Sequence, residues 1–255
     1  GSCKGSRSGI VADCQKVRAH PDLLDSESNT LVESRLQAAL ELTSDETIRA
    51  RITHASASYA LAHTPQQLLE HALLIEPMPR SGEARTVVLP TQNGDQWTIN
   101  VACRDMPALL ARLSGALSSL ELNVIHADVA SWADGAVLDT FTVQSAVEPQ
   151  LGMVSEAIQS SLQIRNVKTS GGPYELTVRT NHLAHPWHSI MRIEGEDRIG
   201  LLRDITATLS KLKVTIHHAR IDADQGRAHC VFEVSDAHGE KLSVKATDKI
   251  IQALR

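Results

Sequence analysis

The last two thirds of the 255-residue chain contain the same pattern of residues twice. The segment RDMPALLARL of the first copy aligns with EDRIGLLRDI of the second, which places Asp105 against Asp197 at an offset of 92 residues. The alignment continues beyond these segments, with one deletion in the second copy, and pairs His126 with His218, Gly135 with Gly226 and Phe141 with Phe232. A repeat of this length indicates that one structural unit is present twice.

Both copies have the same predicted order of elements. An alternating strand, at residues 98–103 or 190–195, leads into a helix with leucine and isoleucine on one face. Two strands joined by a hairpin containing Asp and Gly follow, and a second helix closes the copy at residues 154–162 or 245–254. Two strand–helix–strand crossovers with the helices on one face predict an α+β, ferredoxin-like layer in each copy.

A ferredoxin-like layer needs a fourth strand, which neither copy supplies after its second helix. A strand candidate instead precedes each copy, at residues 85–89 and 175–180, and Asn93-Gly94 favours a hairpin after the first of them. A strand joined by a hairpin lies antiparallel to its successor. We therefore expect both candidates to take the fourth-strand position, at an edge of the sheet.

The N-terminal third of the chain has a different pattern. Residues 1–28 are polar and aperiodic, which predicts a flexible N-terminus, and residues 29–76 predict a helical segment of three helices. Thr43 and Glu46 have the spacing of a capping box, and Thr64-Pro65 suits the start of the last helix. The two copies are predicted to form domains over residues 84–170 and 174–255.

Composition excludes several classes of function. Only seven of the 255 residues are aromatic and the net charge is −5, whereas single-strand nucleic-acid grooves need aromatic faces and a basic field. No apolar run approaches the roughly 20 residues of a membrane span. The four cysteines are far apart, which favours reduced thiols. We expect no cofactor, no nucleic acid, no membrane span, and a cytoplasmic location, or an organelle interior after removal of a transit segment.

Histidines are the residues most suggestive of a metal site. His182, His185 and His188 lie together in HLAHPWH, but Pro186 prevents a helix there and no carboxylate or thiol is near in sequence. We therefore expect a solvated linker between the copies and no bound metal. His126 and His218 are expected on the sheet face opposite the helices, because the alanines that follow them should face the core.

The two copies resemble a pair of ACT domains. The resemblance is carried by RDMPALLARLSGALSSLELNV with DGAVLDTFTV, and by EDRIGLLRDITATLSKLKVTI with HCVFEVSDAHGEKL. They are most similar to the tandem at the C-terminus of bacterial PII uridylyltransferase/uridylyl-removing enzymes and to plant ACT-repeat proteins, and YALAHTPQQLLEHALLI resembles the helical linker before that tandem. The resemblance implies a regulatory module that binds a small molecule, commonly an amino acid and, in the uridylyltransferase, glutamine.

The resemblance also implies where the ligand binds. The family pattern is Asp-Arg-Pro-Gly-Leu at the turn before the first helix, with an Asn at the start of the second strand. The first copy lacks the glycine of this family pattern and keeps the asparagine. Its residues are Asp105, Met106, Pro107, Ala108, Leu109 and Asn123. The second copy keeps the glycine and loses the asparagine, with Asp197, Arg198, Ile199, Gly200, Leu201 and Thr215. We therefore expect one composite amino-acid site between the Asp197–Leu201 turn and the start of the Asn123 strand.

Signatures of catalysis are missing from the sequence. The enzymes that the chain resembles carry a nucleotidyltransferase domain and a His-Asp hydrolase domain, and the sequence contains no His-Asp dipeptide and no Gly-Ser followed by paired aspartates. We therefore expect a non-enzymatic tandem that responds to an amino acid, favouring glutamine, and controls a protein partner or an attached enzyme. The alternative is an interaction or structural subunit, a homo-oligomer or part of a larger complex, that has lost the ligand.

Overall fold

The computed structural model describes residues 26–164, 167–169 and 175–254. The chain divides into a helical unit that ends at Pro77 and a sheet unit that begins at Met78. Most of the predicted flexible N-terminus, residues 1–25, lies outside the described residues, and so does the predicted boundary between the two copies at residues 170–174.

The helical unit contains four helices among its described residues, one more than the three that the sequence predicts. They are α1 (Ser26–Leu40), α2 (Glu46–Thr53), α3 (Ala57–Ala62) and α4 (Pro65–Ile75). The short α3 was missed because it spans less than two turns, too few for a periodic pattern. A hydrogen bond of 2.6 Å between the Tyr59 hydroxyl and Nδ1 of His71 joins α3 to α4, and burial lowers the pKa of His71 to about 3.

Helix capping is predicted correctly at α4 and wrongly at α2. Thr64 and Gln67 form a reciprocal capping box at the start of α4. At α2, however, the N-cap is Asp45, whose carboxylate accepts hydrogen bonds from the backbone N–H groups of Thr47 and Ile48. The expected capping box of Thr43 and Glu46 is therefore not formed. A carboxylate at the N-cap is also favoured by the positive end of the helix dipole, which explains why Asp45 takes that position.

The sheet unit confirms an α+β architecture with ferredoxin-like copies. The first copy consists of β1 (Ala84–Pro90), β2 (Gln96–Arg104), α5 (Leu109–Ser119), β3 (Asn123–Ser131), β4 (Ala136–Gln144) and α6 (Leu151–Leu162). The second copy consists of β5 (Thr177–Asn181), β6 (Ser189–Glu196), α7 (Leu201–Lys211), β7 (Thr215–Asp224), β8 (Arg227–Ser235) and α8 (Val244–Ala253). All eight strands form one sheet in the order β1-β2-β4-β3-β7-β8-β6-β5.

The two strands that precede the copies lie at the two edges of this sheet. β1 pairs antiparallel with β2, and β5 pairs antiparallel with β6. Both take the fourth-strand position, as predicted, although β5 begins at Thr177 and not at residue 175.

The copies are joined side by side through their β3 and β7 strands, which are antiparallel. His126 lies opposite Asp222, Ala127 opposite Ile221 and Asp128 opposite Arg220. This pairing places the start of β3 in the first copy near the turn before α7 in the second.

The core of the sheet unit lies between the sheet and its helices and is almost wholly aliphatic. Phe141 and Phe232 are both fully buried in it, at equivalent positions of β4 and β8. Cys103 and Cys230 are also buried, and burial raises the pKa of both thiols, so they behave as small apolar residues. None of the helices formed by the described residues combines the length and apolarity of a membrane span.

Candidate functional site

The turn before α7 presents the start of a helix without a side-chain cap. Gly200 takes the N-cap position in the left-handed region, with a φ of 83°. Among the described residues, no side chain caps α7. First-turn amides of a helix lack intrahelical acceptors and lie at the positive end of the dipole. The Asp197 N–H donates to Gly226 O at 2.9 Å and thereby anchors the turn to the β7–β8 hairpin.

Asn123 of the first copy reaches this turn of the second copy. Its Nδ2 donates to Oδ2 of Asp197 at 2.7 Å, although the two residues are 74 positions apart in sequence. The contact is made possible by the pairing of β3 with β7. The structure thus brings together the asparagine and the glycine-containing turn that the sequence analysis combined into one site.

A small cavity lies between these groups. Its volume is about 10 Å³, close to the least that a single water molecule needs. The walls are polar on one side, with Ser118, Asn123, Asp197 and Arg203, and apolar on the other, with Ile221, Ala228 and Cys230. Of the predicted residues of this turn, Arg198, Gly200 and Leu201 also line the cavity, whereas Ile199 is not among the lining residues and is 44% exposed.

The turn before α5 in the first copy has the same backbone but different side chains. Ala108 takes the left-handed N-cap position with a φ of 61°, and the Asp105 N–H donates to Gly135 O at 2.9 Å. A residue with a Cβ costs about 1–2 kcal/mol in this conformation. None of Asp105, Met106, Pro107 and Ala108 lines the cavity. The structure therefore separates these four predicted residues from the composite site.

Arg112 on α5 of the first copy makes hydrogen bonds to backbone carbonyl groups near the turn before α5 and at the end of α6. Its Nε donates to Pro107 O at 3.1 Å, and its Nη1 donates to the carbonyls of Ser161, Leu162 and Ile164 at the end of α6. The equivalent position in the second copy is Asp204. Arg112 thus serves as a C-terminal cap for α6, a role that the sequence analysis did not identify.

Asp139 is a buried carboxylate at the repeat position that Cys230 occupies in the second copy. It lies on β4 between Val137 and Phe141, is 1% exposed, and neither of its oxygens has a hydrogen-bond partner among the described residues. Burial, with smaller contributions from the carboxylates of Asp105 and Asp128, raises the pKa of Asp139 to about 8. The carboxyl group is therefore mainly protonated at neutral pH.

Two histidines of the loop before β6 are held by contacts with β8, so the expected solvated linker is wrong at these two positions although the loop also exposes Leu183 and Trp187. His185 is 5% exposed, and its Nε2 lies 3.5 Å from Oε1 of Glu233. Nδ1 of His188 is hydrogen-bonded to the same oxygen. The ring of His188 is stacked between those of His185 and His217, at centroid distances of 4.9 and 3.9 Å. Sequence reasoning missed Glu233 because it lies 45 residues beyond His188.

His185, His188 and Glu233 have the atom types and proximity of a metal site. However, Nδ1 of His185 accepts hydrogen bonds from the backbone N–H groups of His188 and Trp187, at 3.0 and 3.3 Å. A neutral imidazole that accepts at Nδ1 carries its proton on Nε2, where a metal would have to bind. We therefore interpret the cluster as hydrogen bonding that anchors the loop to β8.

The histidines at the junction of the copies also form hydrogen bonds. Nδ1 of His126 lies 2.9 Å from Oδ1 of Asp222, and Nδ1 of His218 lies 3.2 Å from Val129 O. Ala127 and Ala219, which follow them, are fully buried in the core, as the alternation predicts. His126 and His218 thus join β3 to β7 and lie apart from the cavity.

Comparison with known proteins shows what this chain is similar to. A family model described as "Plant bHLH transcription factor, ACT-like domain" matches residues 90–163. The bifunctional uridylyltransferase/uridylyl-removing enzyme of Gluconobacter oxydans is 29% identical over 208 residues, which cover 73% of this chain and 22% of the enzyme. The enzymes of that name from Rhodospirillum rubrum and Nitrobacter winogradskyi are 28% and 23% identical, over 74% and 86% of this chain.

The chain spans 22–26% of the length of these three relatives. Its match to the ACT-like model covers the first copy, and the second copy repeats the same order of strands and helices in the same sheet. The first copy is thus similar to an ACT-like domain, and 73–86% of the chain is similar to part of the bifunctional uridylyltransferase/uridylyl-removing enzymes.

Proposed function

We propose that this protein is a non-catalytic regulatory module that binds a free amino acid, with glutamine favoured, and thereby controls a protein partner or an attached enzyme. The ACT-like fold and the kinship with a uridylyltransferase/uridylyl-removing enzyme support a regulatory module. Ligand binding would act by favouring one packing of the two copies, because the site draws on both of them.

The observation that carries the proposal is the Asn123–Asp197 hydrogen bond beside the start of α7. Asp197 offers a carboxylate to a ligand ammonium group, and Asn123 offers an amide that can donate or accept. The Leu201 N–H already donates to Arg198 O at 3.1 Å, so the amides of Leu202 and Arg203 are the first-turn donors that α7 offers to a ligand carboxylate. These groups together match the two charges of a free amino acid.

The two ACT-like copies are expected to bind one ligand between them. The region equivalent to the cavity in the first copy has Ala108 in place of Gly200, Thr215 in place of Asn123 and Asp139 in place of Cys230. We therefore propose a stoichiometry of one amino acid per chain. The rival, a structural or interaction subunit without ligand, draws support from the same losses.

A thermal-shift and calorimetric screen of glutamine and the other amino acids tests the proposal. Ligand at 100 times its Kd should stabilise the native protein by about 2.7 kcal/mol and raise its melting temperature. Gly200→Ala should weaken or abolish the response, because the added Cβ, 2.7 Å from Nη2 of Arg203 and 2.9 Å from Oγ of Ser118, would project into the space that the ligand needs.

Gly239→Ala is the matched control for this test. Gly239 has a φ of 81°, close to the 83° of Gly200, but a Cβ there would meet no atom within 4 Å. This variant should suffer the same backbone strain and keep the full ligand response. If no amino acid shifts the melting temperature of the unaltered protein, the rival function stands.

A further inference from the structure

The side chain of Arg203 crosses from the second copy to the first and lies over the candidate site. Its Nη1 donates to Oγ of Ser118 on α5 at 3.1 Å, and its Nε donates to Oδ1 of Asp204 at 2.9 Å. Its aliphatic stem runs beside Gly115 of α5, where a Cβ would lie 3.5 Å from Cδ of Arg203. The guanidinium is thus held at a defined place beside Gly200.

The charges around this guanidinium favour an anionic group. Asp204 is only 2% exposed and is shared by two arginines, because Nη2 of Arg198 also contacts it, at 2.7 Å. One buried carboxylate therefore faces two guanidinium groups at the positive end of α7. A carboxylate placed between Arg203 and the first turn of α7 would interact favourably with both, in a charge-assisted contact.

The cavity also contains an anionic side, which restricts the ligand further. Asp197 lines the same cavity as Arg203, and its carboxylate accepts a hydrogen bond from the amide of Asn123. Opposite charges on two walls of one cavity complement a zwitterion better than a simple anion.

We propose that Arg203 binds the carboxylate of the ligand whose ammonium group is held by Asp197; this inference rests on the proposed function. A cavity of about 10 Å³ cannot admit an amino acid while the guanidinium lies against Ser118. Arg203 must therefore leave Ser118, while its Nε can remain on Asp204, and then close on the ligand. Arg203 therefore occludes the site before the ligand binds. Once the ligand is bound, Arg203 determines the specificity of the site for a carboxylate.

The test pairs a change in the protein with a change in the ligand. Binding of glutamine and glycine is compared by calorimetry with that of glutaminamide and glycinamide, in which a neutral amide replaces the carboxylate. The unaltered protein should bind its amino acid at least about tenfold more tightly than the amide, the effect of one charge-assisted hydrogen bond. Arg203→Met keeps the stem beside Gly115 and should lose most of this preference, because only the first-turn amides of α7 then face the carboxylate, and about tenfold in affinity for the amino acid.

Two further variants make the test specific. Arg203→Lys keeps the charge without the planar guanidinium, so it should bind more weakly than the unaltered protein but still prefer the carboxylate. Lys211→Met removes a positive charge from the exposed last turn of α7 and should change neither affinity nor preference. Melting temperatures of all variants without ligand report whether each is folded.

The outcomes separate this inference from the proposed function. If the unaltered protein binds an amino acid and Arg203→Met binds it with the same affinity and the same preference over the amide, Arg203 does not recognise the carboxylate and the inference is overturned. If Arg203→Met is unfolded, Arg203→Lys decides: a lysine variant that matches the unaltered protein in both affinity and preference for the acid overturns the inference. If the unaltered protein binds no amino acid, the proposed function fails and the inference falls with it.

Discussion

Asp139→Asn is expected to stabilise the sheet unit, by an amount that grows from near zero at pH 4 to several kcal/mol at pH 8. Asp139 is fully enclosed, and burial raises its pKa to about 8 from an ordinary value of about 3.9. Asparagine has almost the same shape as the protonated carboxyl group and never ionises. The extra amide N–H changes stability equally at every pH, so the pH-dependent part of the difference reports the cost of ionising Asp139.

The direction of the pH effect follows from proton linkage. Between about pH 4 and pH 8 the unfolded chain has lost the proton of Asp139 while the folded protein retains it. Folding then requires proton uptake, so the free energy of unfolding falls as the pH rises across this window and levels off above it. Each pKa unit corresponds to about 1.4 kcal/mol, which makes this one of the largest single-residue effects expected here.

Tryptophan fluorescence during denaturant unfolding measures this effect, because Trp97, Trp132 and Trp187 all belong to the sheet unit. The free energies of unfolding of variant and unaltered protein should diverge steadily from pH 4 to pH 8. Asp248→Asn, at an exposed position of α8, is the control and should run parallel to the unaltered protein. A constant difference for Asp139→Asn across the range would show that Asp139 does not carry a raised pKa.

Asp139 also shows where sequence reasoning about this fold reaches its limit. Alternation predicts that residues 137, 139, 141 and 143 of β4 share one face, and a polar residue in that series gives no sign of whether it is covered. The structure covers it, because the helices of the first copy pack on that face. Tertiary packing, which no local pattern records, therefore decides the charge of Asp139.

The repeat, by contrast, made much of the fold predictable. A hairpin signal and a repeat without a fourth strand after its last helix were sufficient to place β1 and β5 at the edges of the sheet. The expected meeting of Asn123 with the Gly200 turn required only that the copies pack side by side. Contacts such as His188 with Glu233 or Arg203 with Ser118 were not predictable, because they depend on side-chain directions across elements far apart in sequence.

The equivalence of the two copies also predicts the second large effect, a loss of stability when a phenylalanine of the core is replaced by alanine. Phe141→Ala and Phe232→Ala should each lower the free energy of unfolding of the sheet unit by about 3–5 kcal/mol, the usual cost of deleting a buried ring and leaving a cavity. Both rings are fully buried, and their strand neighbours correspond. Phe141 lies opposite Ile99 and Ala127, whereas Phe232 lies opposite Met191 and Ala219.

Similar surroundings should give similar losses, within about 1 kcal/mol of each other, because the cost of a cavity depends on how far its walls can collapse. The continuous sheet through β3 and β7 should also make each substitution shift one common transition of the sheet unit. Denaturant unfolding followed by tryptophan fluorescence measures both quantities. Leu183→Ala, at a side chain that is 94% exposed, is the control and should change stability by less than about 0.5 kcal/mol. A loss below about 1 kcal/mol for either phenylalanine would contradict the core derived from the repeat.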